Sequence, residues 1–303
     1  MARIEPVKTF WKTIKAISVA EIAAESRKPF ALAVVGPPEA RLRVLERLFP
    51  GMTPEDVVQD RSLVRTFDSL DPATGFPADS AAFDFVLHAG CGRADAPAGT
   101  PVYSLEELGG WDRMVEHMLD ERPELALSLA RRLPGVRPAV AQRVIAETAL
   151  ANAEYAMMSA LPGVVPIVGP ILSIASMSDL LMLTKNQAMM LYRIAAAYDL
   201  PLDARARAAD LAPLLANAFS WRALARELVA VVPGGVGLVL RGSIACAGTV
   251  AVGKGLQKLY ETGRRPTRSQ IAQFYREALE GARETASGIA RRLLGRPRKS
   301  LPR

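Results

Sequence analysis

The residues best placed for chemistry lie in FALAVVGPPEARLRVLERLF, residues 30 to 49, where an apolar run ends at Gly36 and a helical pattern begins. That order is the frame of a phosphate-binding loop, G-x-x-x-x-G-K-[ST]. In such a loop the second glycine lets the backbone close on phosphate, the lysine reaches the β and γ oxygens, and the hydroxyl ligates magnesium. Counted from Gly36, the loop here is Pro37, Pro38, Glu39 and Ala40, and Arg41, Leu42 and Arg43 stand where glycine, lysine and hydroxyl belong. Two prolines remove amide donors, and Glu39 brings charge of the wrong sign. The run FDFVLHAG (83 to 90) has the shape of a Walker B strand but ends in His88 instead of a carboxylate, and no Asn-Lys-x-Asp guanine reader occurs. These residues argue against nucleotide hydrolysis. One alternative survives at this stage: a nucleotide-binding regulator with a non-standard pocket at Gly36, Arg41 and Arg43.

Other chemistry is sparse. His88 and His117 are the only histidines, and neither a Gly-x-Ser-x-Gly elbow nor Cys/His metal spacing accompanies them. No catalytic, cofactor-binding or metal-binding residue is assigned, and a non-enzymatic protein is expected. The two cysteines, Cys91 and Cys246, are far apart. They exclude a disulfide framework, point to a reducing cytoplasmic compartment, and read as small buried residues. Asp179, Asn186 and Gln187 interrupt an apolar helix, with Asp179 and Asn186 on one face two turns apart. They predict a buried polar network, or more sharply a ligand or ion site.

The elements that would position these residues follow from periodicity. Residues 5 to 17 place Val7, Phe10, Trp11, Ile14 and Ile17 on one helical face, and Ser18 with Glu21 forms a capping box for a second short helix. Strands are predicted at 30–36, 62–68 and 83–90, with a further one in 101–108, and a helix follows the first: a small, mainly parallel α/β unit. From Trp111 onward only helices are predicted, at about 111–133, 137–160, 170–198, 204–231, 237–261 and 267–293, each break marked by proline or glycine and the last capped by Thr267. The fold class is therefore α/β plus all-α. Its parts are N-terminal amphipathic helices (1–28), a degenerate α/β domain (29–110), a larger helical domain with apolar hairpins (111–293) and a basic tail (294–303).

Half of the 303 residues are apolar, mean hydropathy is +0.13, and aromatics supply only 6%. YAMMSALPGVVPIVGPILSIASMS, residues 155 to 178, carries no charge and has bilayer length, but Pro162, Pro166 and Pro170 forbid one straight helix. It reads as a hairpin. The second apolar segment, residues 228 to 255, repeats Ser243, Ala247, Ala251 and Gly255 every four residues, a stripe that lets helices approach closely, and holds Arg241 in its middle. The N-terminus lacks the continuous apolar core of a secretory signal. Net charge is +7, with the basic residues concentrated toward the end. The candidate membrane contacts are Trp11, Val164, Val165, Ile167, Val168, Val236, Leu238 and Val239. Arg291, Arg292, Arg298 and Lys299 are the candidate anion contacts. Nucleic acid is disfavoured as a partner, because no aromatics interleave the basic residues.

SVAEIAAESRKPFALAVVG, then ALPGVVPIVGPILSIASMSDLLMLTKNQAMMLYRIAAAYDL and LARELVAVVPGGVGLVLRGSIACAGTVAVGKGLQKLYETG, resemble the YcjF-like bacterial domain of unknown function over most of residues 18 to 262. The most specific parts are the helix carrying Asp179, Asn186, Gln187 and Met190 and the turn from Pro233 to Gly237. The resemblance implies that the helical domain follows a Ras-like GTPase domain, here degenerate, in a family often described as membrane proteins. It also implies that residues 29 to 108 descend from a GTPase domain. No nucleotide-binding residue carries over, since the lysine, hydroxyl, Asp-x-x-Gly switch and Asn-Lys-x-Asp motif are missing. The expectation is a pseudo-GTPase scaffold or adaptor on the cytoplasmic side of the inner membrane, or in the cytoplasm. It would contact an anionic membrane surface and an unknown protein partner. A helical scaffold that stays in solution and buries its hairpins in a homo-oligomer is a further alternative.

Overall fold

The computed structural model describes residues 19–52, 64–78, 82–90, 99, 101–159, 171–204, 206, 207, 209, 210 and 235–294. These residues contain four strands, β1 (Leu32–Val35), β2 (Val64–Phe67), β3 (Phe85–His88) and β4 (Val102–Ser104). They also contain eight α-helices: α1 (Val19–Glu25), α2 (Pro38–Leu48), α3 (Trp111–Glu121), α4 (Ala126–Arg132), α5 (Arg137–Met158), α6 (Ile171–Ala197), α7 (Gly235–Thr262) and α8 (Arg268–Leu294). Two compact units emerge. One holds residues 20–140 with 196–200; the other holds 141–195 and the described residues from Pro201 onward. Ser18, Cys91, the helix with Phe10 and Trp11, the prolines at 162, 166 and 170, and residues 211–231 lie outside the described residues.

In the first unit the strands form one sheet in the order β2-β1-β3-β4, every pair parallel. The predicted strand, helix, strand, strand sequence holds. β1 is buried along its whole length and β3 nearly so, as central strands covered on both faces must be, while the edge strand β2 exposes Arg65 and Thr66. On one face Ala33, Val35 and Val86 pack with Leu70, Phe76 and Phe83. On the other, Phe85 meets Tyr103, whose ring abuts His117 of α3. Asp84 splices the sheet to the helices: Oδ2 accepts the Ala31 amide at 2.9 Å, and Oδ1 accepts Arg122 Nη2 at 2.9 Å. The turn after α4 approaches the end of α2 so closely that a Cβ on Gly135 would sit 1.7 Å from the Arg47 carbonyl oxygen.

The single helix expected over 111–133 is two. Pro123 has no amide to continue α3, so the chain passes through a 3-10 turn at Pro123–Leu125 before α4 begins. The sheet unit also extends to Val140, past the last strand, because α3 and α4 belong to it.

In the second unit α7 and α8 form an antiparallel hairpin. Gly263 (φ +67°) ends α7, its amide donating to the Leu259 carbonyl at 2.8 Å. Thr267 opens α8 as expected: its hydroxyl accepts the Gln270 amide at 3.3 Å, and the Gln270 side chain accepts the Thr267 amide at 3.0 Å. Ser243, Ala247 and Ala251 are fully buried. Added Cβ atoms at Gly242, Gly253 and Gly255 would lie 2.4 Å from Met157 Sδ, 2.5 Å from Ile145 Cγ1 and 2.7 Å from Ile271 Cδ1. The small residues therefore bring α7 against α5 on one side and α8 on the other. Among the described residues no helix is long and apolar enough to cross a membrane.

This packing predicts opposite signs for two helix glycines. Gly253→Ala meets the stiff, β-branched Ile145 and should destabilise by about 1–3 kcal/mol, partly offset by helix propensity. Gly281→Ala, exposed on α8 with nothing within 4 Å, should stabilise by up to about 1 kcal/mol. Urea denaturation of both variants checks this, and a gain from Gly253→Ala would contradict the close contact.

Candidate functional site

In an open parallel sheet, ligands bind beyond the carboxyl ends of the strands, where the strand order reverses. Here that point lies between β1 and β3, at Gly36–Pro37 and His88–Gly90. The place is that of a phosphate loop, and the two loops beyond the strands approach closely there. Gly36 has φ +140°, and a Cβ on it would stand 3.2 Å from the Gly90 amide nitrogen and 3.3 Å from the Ala89 carbonyl carbon. Glycine is kept here because the two loops touch. Pro37 precedes α2 without a side-chain cap and Pro38 occupies its first turn, so two amides that would face an anion are missing. Arg41 is only 17% exposed and pairs with Asp68, which neutralises it, while Arg43 points to solvent from the next turn. Gly36, Arg41 and Arg43 thus do not converge on an anion.

His88 ends β3 with its ring against Gly90, and its buried Nδ1 has no hydrogen-bond partner among the described residues. His117 pairs at 3.2 Å with Glu121, whose other oxygen accepts the Tyr103 hydroxyl at 2.7 Å. Burial first, and then this bond to Glu121, raises the Tyr103 phenol well above its ordinary value. Among the described residues no cluster of three His, Cys, Asp or Glu side chains could hold a metal. Burial raises the Cys246 thiol and leaves it un-ionised, in keeping with a packing role.

In the helical unit Asn186, one of the three residues singled out for a polar network, joins a relay whose other members are Asn152 and Thr249. Asn186 Nδ2 on α6 donates to Asn152 Oδ1 on α5 at 2.8 Å, and Asn152 Nδ2 donates to Thr249 Oγ1 on α7 at 2.9 Å. Thr249 in turn donates to the Ala245 carbonyl at 2.8 Å. Asn152 and Thr249 are each 1% exposed, so the relay crosses three helices inside the core. Gln187 stands outside it: its buried Oε1 has no partner among the described residues. The side chain of Asp179 lies outside the described residues. Asn152 and Thr249 were missed in the sequence, although a lone asparagine in the run ALANAEYAMM was the available signal. A second, partly buried cluster also escaped notice. Asp210 Oδ2 accepts Arg207 Nη1 at 3.0 Å and the Tyr260 hydroxyl at 3.1 Å, and the Arg207 guanidinium covers the Tyr260 ring.

The surface candidates divide. Leu238 is buried and Val239 half-buried, both against α5 and α8. Trp11, Val164, Val165, Ile167 and Val168, the side chain of Val236, and Arg298 and Lys299 lie outside the described residues. Arg291 and Arg292 are exposed on α8, with Arg291 Nε 3.4 Å from the Ser287 carbonyl and Arg292 Nη2 3.6 Å from Glu154.

Two outcomes test these polar contacts. Asn152→Ala removes both relay bonds and leaves a cavity, and should cost about 2–4 kcal/mol in urea denaturation, against about 1 kcal/mol for the half-buried Asn186→Ala; equal losses would contradict the relay. Because the folded Tyr103 phenol is raised, its stabilisation is complete below the unfolded value of about 10 and is lost as pH climbs beyond it. Alkaline melts should therefore show a loss of stability above about pH 10 that is smaller in Tyr103→Phe.

No family model, curated protein or solved structure matches this chain.

Proposed function

We propose that this chain is a non-enzymatic scaffold or adaptor. In this reading its sheet unit is a degenerate GTPase-like domain, and its helical unit, akin to the YcjF-like domain, docks on an anionic membrane surface. The observation that carries the first part is the switch point, where the residues of a phosphate loop are replaced. Gly36 abuts Gly90, two prolines open α2, and Arg41 is held by Asp68. The strand–glycine–helix crossover remains because the parallel sheet requires it, and the sheet unit is left with surfaces to offer a protein partner. The second part is supported by the uneven charge of the chain, whose basic excess falls toward its end.

One observation favours the homo-oligomeric alternative. Leu150, Met158 and Met182 are 39%, 51% and 42% exposed on α5 and α6, apolar side chains that a second copy could cover.

Titration calorimetry with GTP and ATP at millimolar concentration, with magnesium, should give no saturable heat; saturable binding would revive the nucleotide-regulator alternative. Flotation of the full chain with phosphatidylglycerol vesicles should exceed flotation with neutral vesicles. Equal failure with both, alongside a concentration-dependent dimer in sedimentation, would favour the homo-oligomer.

A further inference from the structure

We infer that the charged contact with anionic lipid headgroups is made at the tip of the α7–α8 hairpin, by Arg264, Arg265 and Arg268. The inference rests on the membrane reading above and moves its electrostatic contact away from the basic end of the chain. All three arginines are exposed. Arg264 and Arg268 have no carboxylate partner among the described residues, and Arg265 Nη2 donates to a backbone carbonyl, that of Ala209, at 3.3 Å, which leaves its charge uncompensated. The nearest acidic residue in sequence, Glu261, accepts the neutral Gln257 amide at 2.8 Å and keeps its negative charge, so the turn is positive on balance without being free of carboxylate.

The turn that carries them is fixed at both ends. Gly263 closes α7, the Arg264 amide donates to Thr262 Oγ1 at 3.2 Å, and Pro266 leads into the reciprocal Thr267–Gln270 cap. Three guanidinium groups within five residues are thereby held on one short turn, and the positive end of the α8 dipole adds the same sign. Guanidinium is suited to phosphate because its planar fork donates two parallel hydrogen bonds. The rest of α8 offers less. Its arginines at 276 and 283 are interleaved with Glu277, Glu280 and Glu284, Arg292 faces Glu154 at 3.6 Å, and Arg291 is left with no more than the Ser287 carbonyl among the described residues. An extended anionic surface meets unbalanced positive charge at the hairpin tip and mixed charge along the helix.

The test is flotation of the full chain with phosphatidylglycerol vesicles at low salt, comparing Arg264→Gln/Arg268→Gln with Arg291→Gln/Arg292→Gln. The first variant leaves the Arg265–Ala209 contact in place, and matched thermal melts establish that both variants fold. Each exposed arginine near anionic lipid is worth about fivefold in binding, so the tip variant should bind on the order of 30-fold more weakly and the α8-end variant within about twofold of the parent. Loss in the α8-end variant with retention in the tip variant would overturn the inference while leaving membrane association intact. Parent-like binding by both variants would also overturn it. Failure of the parent chain to bind anionic vesicles removes the membrane reading itself, before any variant is compared. Displacement by inorganic phosphate at constant ionic strength would assign the arginines to a discrete phosphate site and overturn the commitment to a lipid surface.

Discussion

Helix backbones come close only where neither helix carries bulk, and α7 meets that condition on two sides. Gly242 and Gly253 admit Met157 and Ile145 of α5, while Gly255 admits Ile271 of α8, and Ala247 and Ala251 continue the contact without exposure. The polar relay depends on this spacing. Asparagine and threonine side chains are short, so Asn152 can reach Thr249 at 2.9 Å only if their helices are already near. Small residues thus give the unit both its dispersion contacts and the means to satisfy polar groups in its interior. Longer apolar residues along α7 would separate the helices and leave Asn152 Nδ2 without its Thr249 acceptor, a loss that compounds the overpacking.

The sheet unit shows the same constraint in backbone form. Gly135 lets the turn after α4 touch the end of α2, and Gly36 lets the loop after β1 touch the loop after β3. Asp84 then fixes the two sheet strands and the α3–α4 link with its two oxygens. A glycine after a strand is thus ambiguous evidence. It marks close approach, and what approaches can be a phosphate or another piece of backbone. At Gly36 the neighbour is Gly90, and the missing lysine and hydroxyl agree with that.

Much of this architecture was legible because it rests on local patterns. The continuous apolar runs of β1 and β3, the Thr267 cap, and the four-residue spacing of Ser243, Ala247, Ala251 and Gly255 each act within a few residues. What was not legible depends on partners far along the chain. Asn186 was expected in a polar network on the strength of its own helix, but the partner it meets is Asn152, 34 residues away, because tertiary packing selects which faces meet. Arg122 reaches Asp84 across 38 residues, and Asp210 reaches Tyr260 across 50. The break at Pro123 was readable and was passed over because the apolar period resumes beyond it.

Apolar content and affinity for lipid are separable quantities, and this helical unit illustrates why. A run such as GLVLRGSIACAGTVAVG looks lipid-seeking as a string, yet Leu238, Cys246, Ala247 and Ala251 are consumed by contacts with neighbouring helices. Apolar area already buried against protein adds no further free energy on approaching a membrane. In the proposed reading, then, whatever holds this folded unit at a surface must come from groups its own packing leaves uncompensated. Counting charge along the sequence is equally incomplete, since carboxylates offset Arg41, Arg122 and Arg207 within the fold. The charges that act at long range are those left over after such pairing, and their placement follows from the turns, not from the total of +7.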